Sequence, residues 1–162
     1  MILSSPSQDK MLKESFHKLI ASDPIFRVCA RTELERTFKN VHCLELAKDQ
    51  TLFCKGDWPD GVFLLESGGV KIVRDIENGK DVIIRLLGKR ALVGMDELIG
   101  ERHYAKSAIC VAPTRVYLLP RKPFMRLIYS NITCFNGVID QLTKDLVFTR
   151  TRIVSMSQKT TS

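Results

Sequence analysis

Five cysteines, three histidines and a lopsided charge distribution are the groups in this 162-residue chain with chemistry to offer. Cys29, Cys43, Cys54, Cys110 and Cys134 are scattered, with no C-x-x-C pair among them. Structural zinc and iron–sulfur sites use close pairs, so these read as reduced, partly buried thiols. Cys54 sits beside a turn and is the best candidate for a redox-sensing thiol. His17, His42 and His103 lie far apart, which gives no metal-ligand spacing and predicts no metal site. No Ser–His–Asp, Cys–His or phosphate-loop constellation is present, so no catalytic residue is assigned and the chain is expected not to be an enzyme.

The net charge is +7. From Glu101 onward there are ten basic residues against three acidic ones, so the whole excess falls in the last third. That favours an anionic partner, either a phosphate-bearing ligand or nucleic acid, with a solvated helical face as the plain alternative. With 44% hydrophobic and 27% charged residues the composition is that of an ordinary globular domain. The longest apolar run falls well short of a membrane span, and the start Met1-Ile2-Leu3-Ser4-Ser5-Pro6 lacks the form of a secretory signal. The expected location is the cytoplasm.

The elements that must position these groups fall into three textures. Residues 1–8 are polar and read as a flexible N-terminus. Leu12, Phe16, Leu19 and Ile20 then recur at helical spacing until Pro24. Thr32 and Glu35 look like a capping box opening a short helix to about Phe38. The middle is a series of short strand-like runs: Val41–Leu46, Thr51–Cys54, Gly61–Glu66, Val70–Arg74, Asp81–Leu87, Leu92–Val93, Lys106–Val111 and Thr114–Leu119. Glycine turns separate them, and Asn78-Gly79 is a strong hairpin signal. Many short strands with regular turns predict a closed or sandwiched antiparallel sheet.

After Pro120 the helical period returns. Phe124, Leu127 and Ile128 mark a short helix, and Ser130 or Asn131 can cap the next one. In that last helix Ile132, Ile139, Leu146 and Ile153 are spaced by seven. Phe135, Leu142, Thr149 and Met156 fill the second heptad position. This pattern predicts a two-stranded parallel coiled coil and hence a homodimer. The alternative is a stripe that packs only on its own domain. Val138, Val147, Phe148 and Val154 lie off the seam and are expected to cover the sheet while the seam meets the partner.

A helical start, an eight-strand roll and a long heptad helix resemble the effector domain of the cyclic-AMP receptor protein / fumarate–nitrate regulator (CRP/FNR) family. The stretch from Lys55-Gly56-Asp57 through Ser67-Gly68-Gly69 to Ile72 is similar to the family's glycine–aspartate turn, strand, glycine turn and strand. Leu92-Val93-Gly94-Met95-Asp96 resembles the entry to its phosphate cassette, and Pro120 to Ile128 its short helix. The resemblance implies a mostly β fold, a double-stranded β-helix of the jelly-roll kind, with N-terminal helices and a long C-terminal dimerisation helix. It places the sensor domain at 9–129, the dimerisation helix at 130–157 and a tail at 158–162.

The resemblance also implies a ligand site. In the family a glutamate takes the ribose hydroxyl, while an arginine about ten residues on, followed by Ser or Thr, grips the cyclic phosphate. Here Lys106-Ser107-Ala108 stands for Arg-Ser-Ala, and Asp96, or Glu97 one step on, stands for the glutamate. Lysine lacks the planar fork of arginine, so the site is weakened in geometry. The implied ligand-binding residues are Gly94, Asp96, Glu97, Lys106 and Ser107, with Thr149 as the residue that reaches the base. Thr149 reads equally well as a seam polar that sets register. His103, near Arg102 and Lys106, is a lesser phosphate candidate, and Trp58-Pro59 reads as turn packing.

The implied function is effector sensing and dimerisation for a transcription regulator. The effector is cyclic AMP, cyclic GMP or another small molecule, and no cofactor is required. DNA is reached only through a domain outside this chain, because no helix-turn-helix fits before Ser162. The alternatives are a ligand-free scaffold with a degenerate pocket and, much less favoured, a cupin-type metal enzyme. The strand runs carry only His42 toward such a metal site.

Overall fold

The computed structural model describes residues 6–76 and 79–160, with side chains for 6–75 and 79–147. Two helices open the chain, α1 (Pro6–Ala21) and α2 (Arg31–Thr37). Helix α1 starts at Pro6, three residues before the sequence pattern places it. Proline is suited to a first helical turn because its missing N–H has no partner to find there. Thr32 does not cap α2. Ala30 precedes the helix without a side-chain cap, and Glu35 pairs instead with Arg31 at 2.7 Å. The expected capping box fails because Thr32 already lies inside the first turn.

Eight strands follow: β1 (His42–Leu46), β2 (Thr51–Phe53), β3 (Gly61–Ser67), β4 (Val70–Ile76), β5 (Lys80–Leu87), β6 (Leu92–Val93), β7 (Ser107–Cys110) and β8 (Thr114–Pro120). They form two four-stranded antiparallel sheets in the orders β1-β8-β3-β6 and β2-β7-β4-β5. Apart from the β4–β5 hairpin, which stays within one sheet, successive strands cross from one sheet to the other, which makes the mostly β roll expected from the sequence. The β4–β5 hairpin pairs Ile76 with Lys80, and Gly79 takes φ +70°. Glu77 and Asn78, the other turn residues, lie outside the described residues.

Strand β3 explains why its sequence shows no polar alternation. Val62 and Leu64 face the helices, whereas Phe63 and Leu65 face the space between the sheets, and all four are buried. The first set joins Phe16, Phe26, Phe38 and Phe124 in a helical shoulder. The second joins Phe53, Ile72, Ile84 and Val116 inside the roll. Each fully buried side chain of this size contributes roughly 1.5–3 kcal/mol.

A one-turn helix α3 (Met95–Ile99) links β6 to β7, and α4 (Arg121–Ser130) leads into α5 (Ile132–Thr160). Asn131 caps α5, its side-chain oxygen accepting the N–H groups of Thr133 and Cys134. Gly137 admits the close approach of the α1–α2 connection, because a Cβ there would lie 3.3 Å from the Ile25 Cα. Among the described residues no helix is long and apolar enough to cross a membrane.

Candidate functional site

A cavity of about 510 Å³ opens between β4, β5, the β6–α3 corner and the flank of α5. Its apolar wall includes Ile72, Ile84, Leu92, Ile99 and Leu142. Its polar groups are Arg74, Arg85, Asp96, Arg102, Lys106 and Asp145. Gly94 forms the corner. It holds φ +86° just before α3, and a Cβ there would press on the Tyr104 ring at 3.2 Å. Tyr104 is in turn stacked on Phe53 at 3.7 Å, which backs the corner with two aromatic rings.

Lys106 is the centre of the charge arrangement. Its ammonium lies 2.7 Å from Asp96 Oδ2 and 3.4 Å from Glu97 Oε1. The spacing left both carboxylates open as candidates, and both contact Lys106, in different surroundings. Asp96 lines the cavity and is partly exposed. Glu97 is 3% exposed; its Oε1 accepts the Ala105 N–H at 3.4 Å, and its Oε2 is buried without a hydrogen-bond partner. Burial first, then the neighbouring Asp96 carboxylate, pushes Glu97 up to about 7 against the pull of Lys106. Burial acts upward on Asp96 too, but the neighbouring Glu97 carboxyl and the Lys106 charge outweigh it and bring Asp96 down to about 2. Near neutrality Asp96 carries the negative charge and Glu97 is partly protonated.

Ser107 does not join them. The strand alternation turns its hydroxyl the other way, where it accepts the Lys55 N–H at 2.9 Å and holds the Lys55-Gly56 turn. His103 is also drawn off: its Nδ1 lies 3.0 Å from the Gly56 carbonyl, and its ring meets Trp58 edge-on. Trp58 packs in the turn as expected, with the Arg121 guanidinium 4.9 Å from its ring centroid.

Helix α5 supplies a cavity wall that the sequence reading missed. Leu142, Asp145 and Leu146 line the cavity, and Asp145 pairs with Arg85 of β5 at 2.6 Å while accepting Gln141 Nε2 at 3.1 Å. The heptad seam is therefore split. Phe135 and Leu142 are half-buried on their own domain, whereas Ile132, Ile139 and Leu146 are exposed, with Ile132 at 70%. Of the off-seam residues, Val138 is buried as expected but Val147 is exposed, because α5 has by then passed the edge of the shoulder. The seam positions Thr149, Ile153 and Met156, and the off-seam Phe148 and Val154, lie outside the described side chains. Arg74, Arg85, Arg102 and Asp145 were overlooked because none belongs to a recognised motif. The one available signal was Asp145, three residues after Leu142 and hence on the same helical face.

The chain is thus an eight-stranded roll with a charged cavity at the β6–α3 corner and a C-terminal helix as one wall. The profile of the cyclic nucleotide-binding domain matches residues 43–131. A cyclic AMP receptor protein of Thermus thermophilus is 27% identical over 105 residues, covering 65% of this chain and 49% of that protein. A global nitrogen regulator of Synechococcus elongatus is 22% identical over 119 residues, 71% of this chain and 53% of that protein. The sensor domain of the transcriptional regulator DNR of Pseudomonas aeruginosa superposes with a TM-score of 0.74 at 20% identity. That match covers 83% of this chain and 91% of the DNR domain. The chain belongs to the cyclic nucleotide-binding domain family, in its CRP/FNR branch. It spans about half the length of the curated relatives it matches.

Proposed function

We propose that this chain is the effector-sensing and dimerisation domain of a transcription regulator, with a small anionic effector seated in the cavity beside Lys106. One observation carries the reading. Helix α5 is at once a wall of the cavity, tied to β5 by Asp145–Arg85, and the bearer of an exposed apolar row at Ile132, Ile139 and Leu146. A ligand that changes how Leu142 and Leu146 pack necessarily shifts the row that meets a second copy. Coupling of that kind needs only a difference in ligand affinity between two dimer arrangements. DNA is then reached through a domain outside this chain.

The lining cations Arg74, Arg85, Arg102 and Lys106 outnumber the lining carboxylates Asp96 and Asp145, which suits an anion. Cyclic AMP and cyclic GMP are the first candidates, with the ribose edge at Asp96. Lys106 has to loosen its Asp96 contact to take a phosphate, and Glu97 favours this in its protonated form. Isothermal titration calorimetry with both nucleotides tests the reading. Saturable heat that is lost in Lys106→Ala supports it. No heat from either nucleotide up to millimolar concentration removes the cyclic-nucleotide form of it.

A second reading is a ligand-free dimerisation module. The observation that favours it is the same Lys106, already neutralised by Asp96 at 2.7 Å. Under this reading the thermal midpoint responds to no added nucleotide, while the chain still dimerises.

A further inference from the structure

We propose that Cys29 and Cys134 form a reversible dithiol–disulfide pair, a redox-sensitive clamp between the connection after α1 and the first turn of α5. The two sulfurs lie 2.9 Å apart across 105 residues of sequence. That is within about 1 Å of the covalent S–S length of about 2.05 Å. The two thiols differ in access. Cys134 is fully buried. Cys29 is half-buried and lines an open groove of about 730 Å³ together with His17, Lys18, Arg27 and Arg31. Asn131 joins the two parts: its side chain caps α5 at Cys134 N and also donates to Cys29 Sγ at 3.6 Å.

These positions divide the chemistry. Cys29, reached through the groove, loses its proton to solvent, and its thiolate attacks one oxygen of hydrogen peroxide. The O–O bond breaks, the departing hydroxide takes up a proton to leave as water, and Cys29 becomes a sulfenic acid. The Cys134 sulfur then attacks the Cys29 sulfur, the S–O bond breaks, and hydroxide leaves as water with the Cys134 proton. Two thiols have lost two electrons and one peroxide has gained them. An external dithiol reverses the change by exchange. Burial raises both thiols, Cys134 to about 12, with their shared hydrogen bond adding to that rise and Cys29 held back by it. The pair is therefore slow to oxidise, and its selectivity comes from proximity rather than from an activated thiolate.

The clamp would fix the start of the helix that walls the cavity, so it bears on the same element as the effector without depending on one. The sequence pointed to Cys54 instead. Cys54 is exposed, and among the described residues it has no thiol partner.

The test treats the full chain with hydrogen peroxide, unfolds it in an alkylating reagent and counts modified cysteines by mass spectrometry. All five are alkylated before treatment. After it the account expects three, a Cys29–Cys134 linked peptide within one chain, and a return to five with dithiothreitol. Cys54→Ser keeps the loss of two, whereas Cys29→Ser abolishes it with an unchanged circular dichroism spectrum. Five alkylated cysteines after treatment, a link through Cys54, or sulfinic acid at Cys29 with Cys134 still free would each overturn the proposal.

Discussion

Two buried carboxylates, one in the helical shoulder and one beside the cavity residue Lys106, are handled in opposite ways. In the shoulder Asp23 is 6% exposed, and its Oδ1 accepts the Ile25 N–H at 2.8 Å. Burial raises it and backbone donors offset the rise, so it serves as a turn cap among aromatic rings. Beside Lys106, Glu97 is buried as deeply, yet one oxygen has no partner and the other shares Lys106 with Asp96. A buried polar group left short of partners costs free energy that a purely structural position has no reason to retain. The Asp23 carboxylate is thus held by backbone donors, whereas the Asp96–Glu97–Lys106 group leaves one carboxylate oxygen without a partner.

The largest expected effect of a substitution lies in the shoulder. Phe26→Ala empties a fully buried site packed edge-on against Phe38 and Phe124. It is expected to cost about 3–5 kcal/mol in denaturant unfolding, with the Asp96–Glu97–Lys106 group untouched. At the cavity, Lys106→Ala leaves two carboxylates without their cation. Asp96 is partly exposed, so the expected loss is discounted to about 1–2 kcal/mol. That loss is larger at pH 8 than at pH 5.5, where Glu97 holds its proton.

Glu97→Gln sharpens the same point through pH. The folded chain binds the Glu97 proton up to about 7, whereas an unfolded glutamate releases it near 4.5. The contribution of this group to stability is therefore greatest below about 4.5 and is lost as pH rises through 7. Denaturant titrations of the wild type at a series of pH values should carry this slope, on the order of 3 kcal/mol, and the Gln variant should lack it. The smallest effect belongs to Ser107→Ala, which removes the acceptor of the Lys55 N–H. It is expected to cost about 1 kcal/mol and to leave effector affinity unchanged. A fall in affinity would return Ser107 to the ligand site.

What the sequence disclosed follows the same division. The roll was legible because turn residues separate the short strand runs, whereas the burial of β3 on both faces emerged only from the fold. The start and period of α5 were legible from Asn131 and the spacing of Ile132 and Ile139. The seam was not, because a seven-residue repeat reads alike whether Phe135 and Leu142 face a partner or their own domain. At the site, Lys106 was found by resemblance, but spacing alone did not separate the roles of Asp96 and Glu97, which burial decides. Arg85–Asp145 and Cys29–Cys134 were invisible, because each joins residues 60 and 105 positions apart that only the folded chain brings together.

The proposed function requires an effector in the cavity to act on α5. Hydrogen exchange with and without cyclic AMP, followed by mass spectrometry over α3 and residues 139–147, tests it most directly. The account predicts slowed exchange in both segments and no change in α1, with the effect lost in Lys106→Ala. Binding by calorimetry with exchange in residues 139–147 unaltered would contradict it.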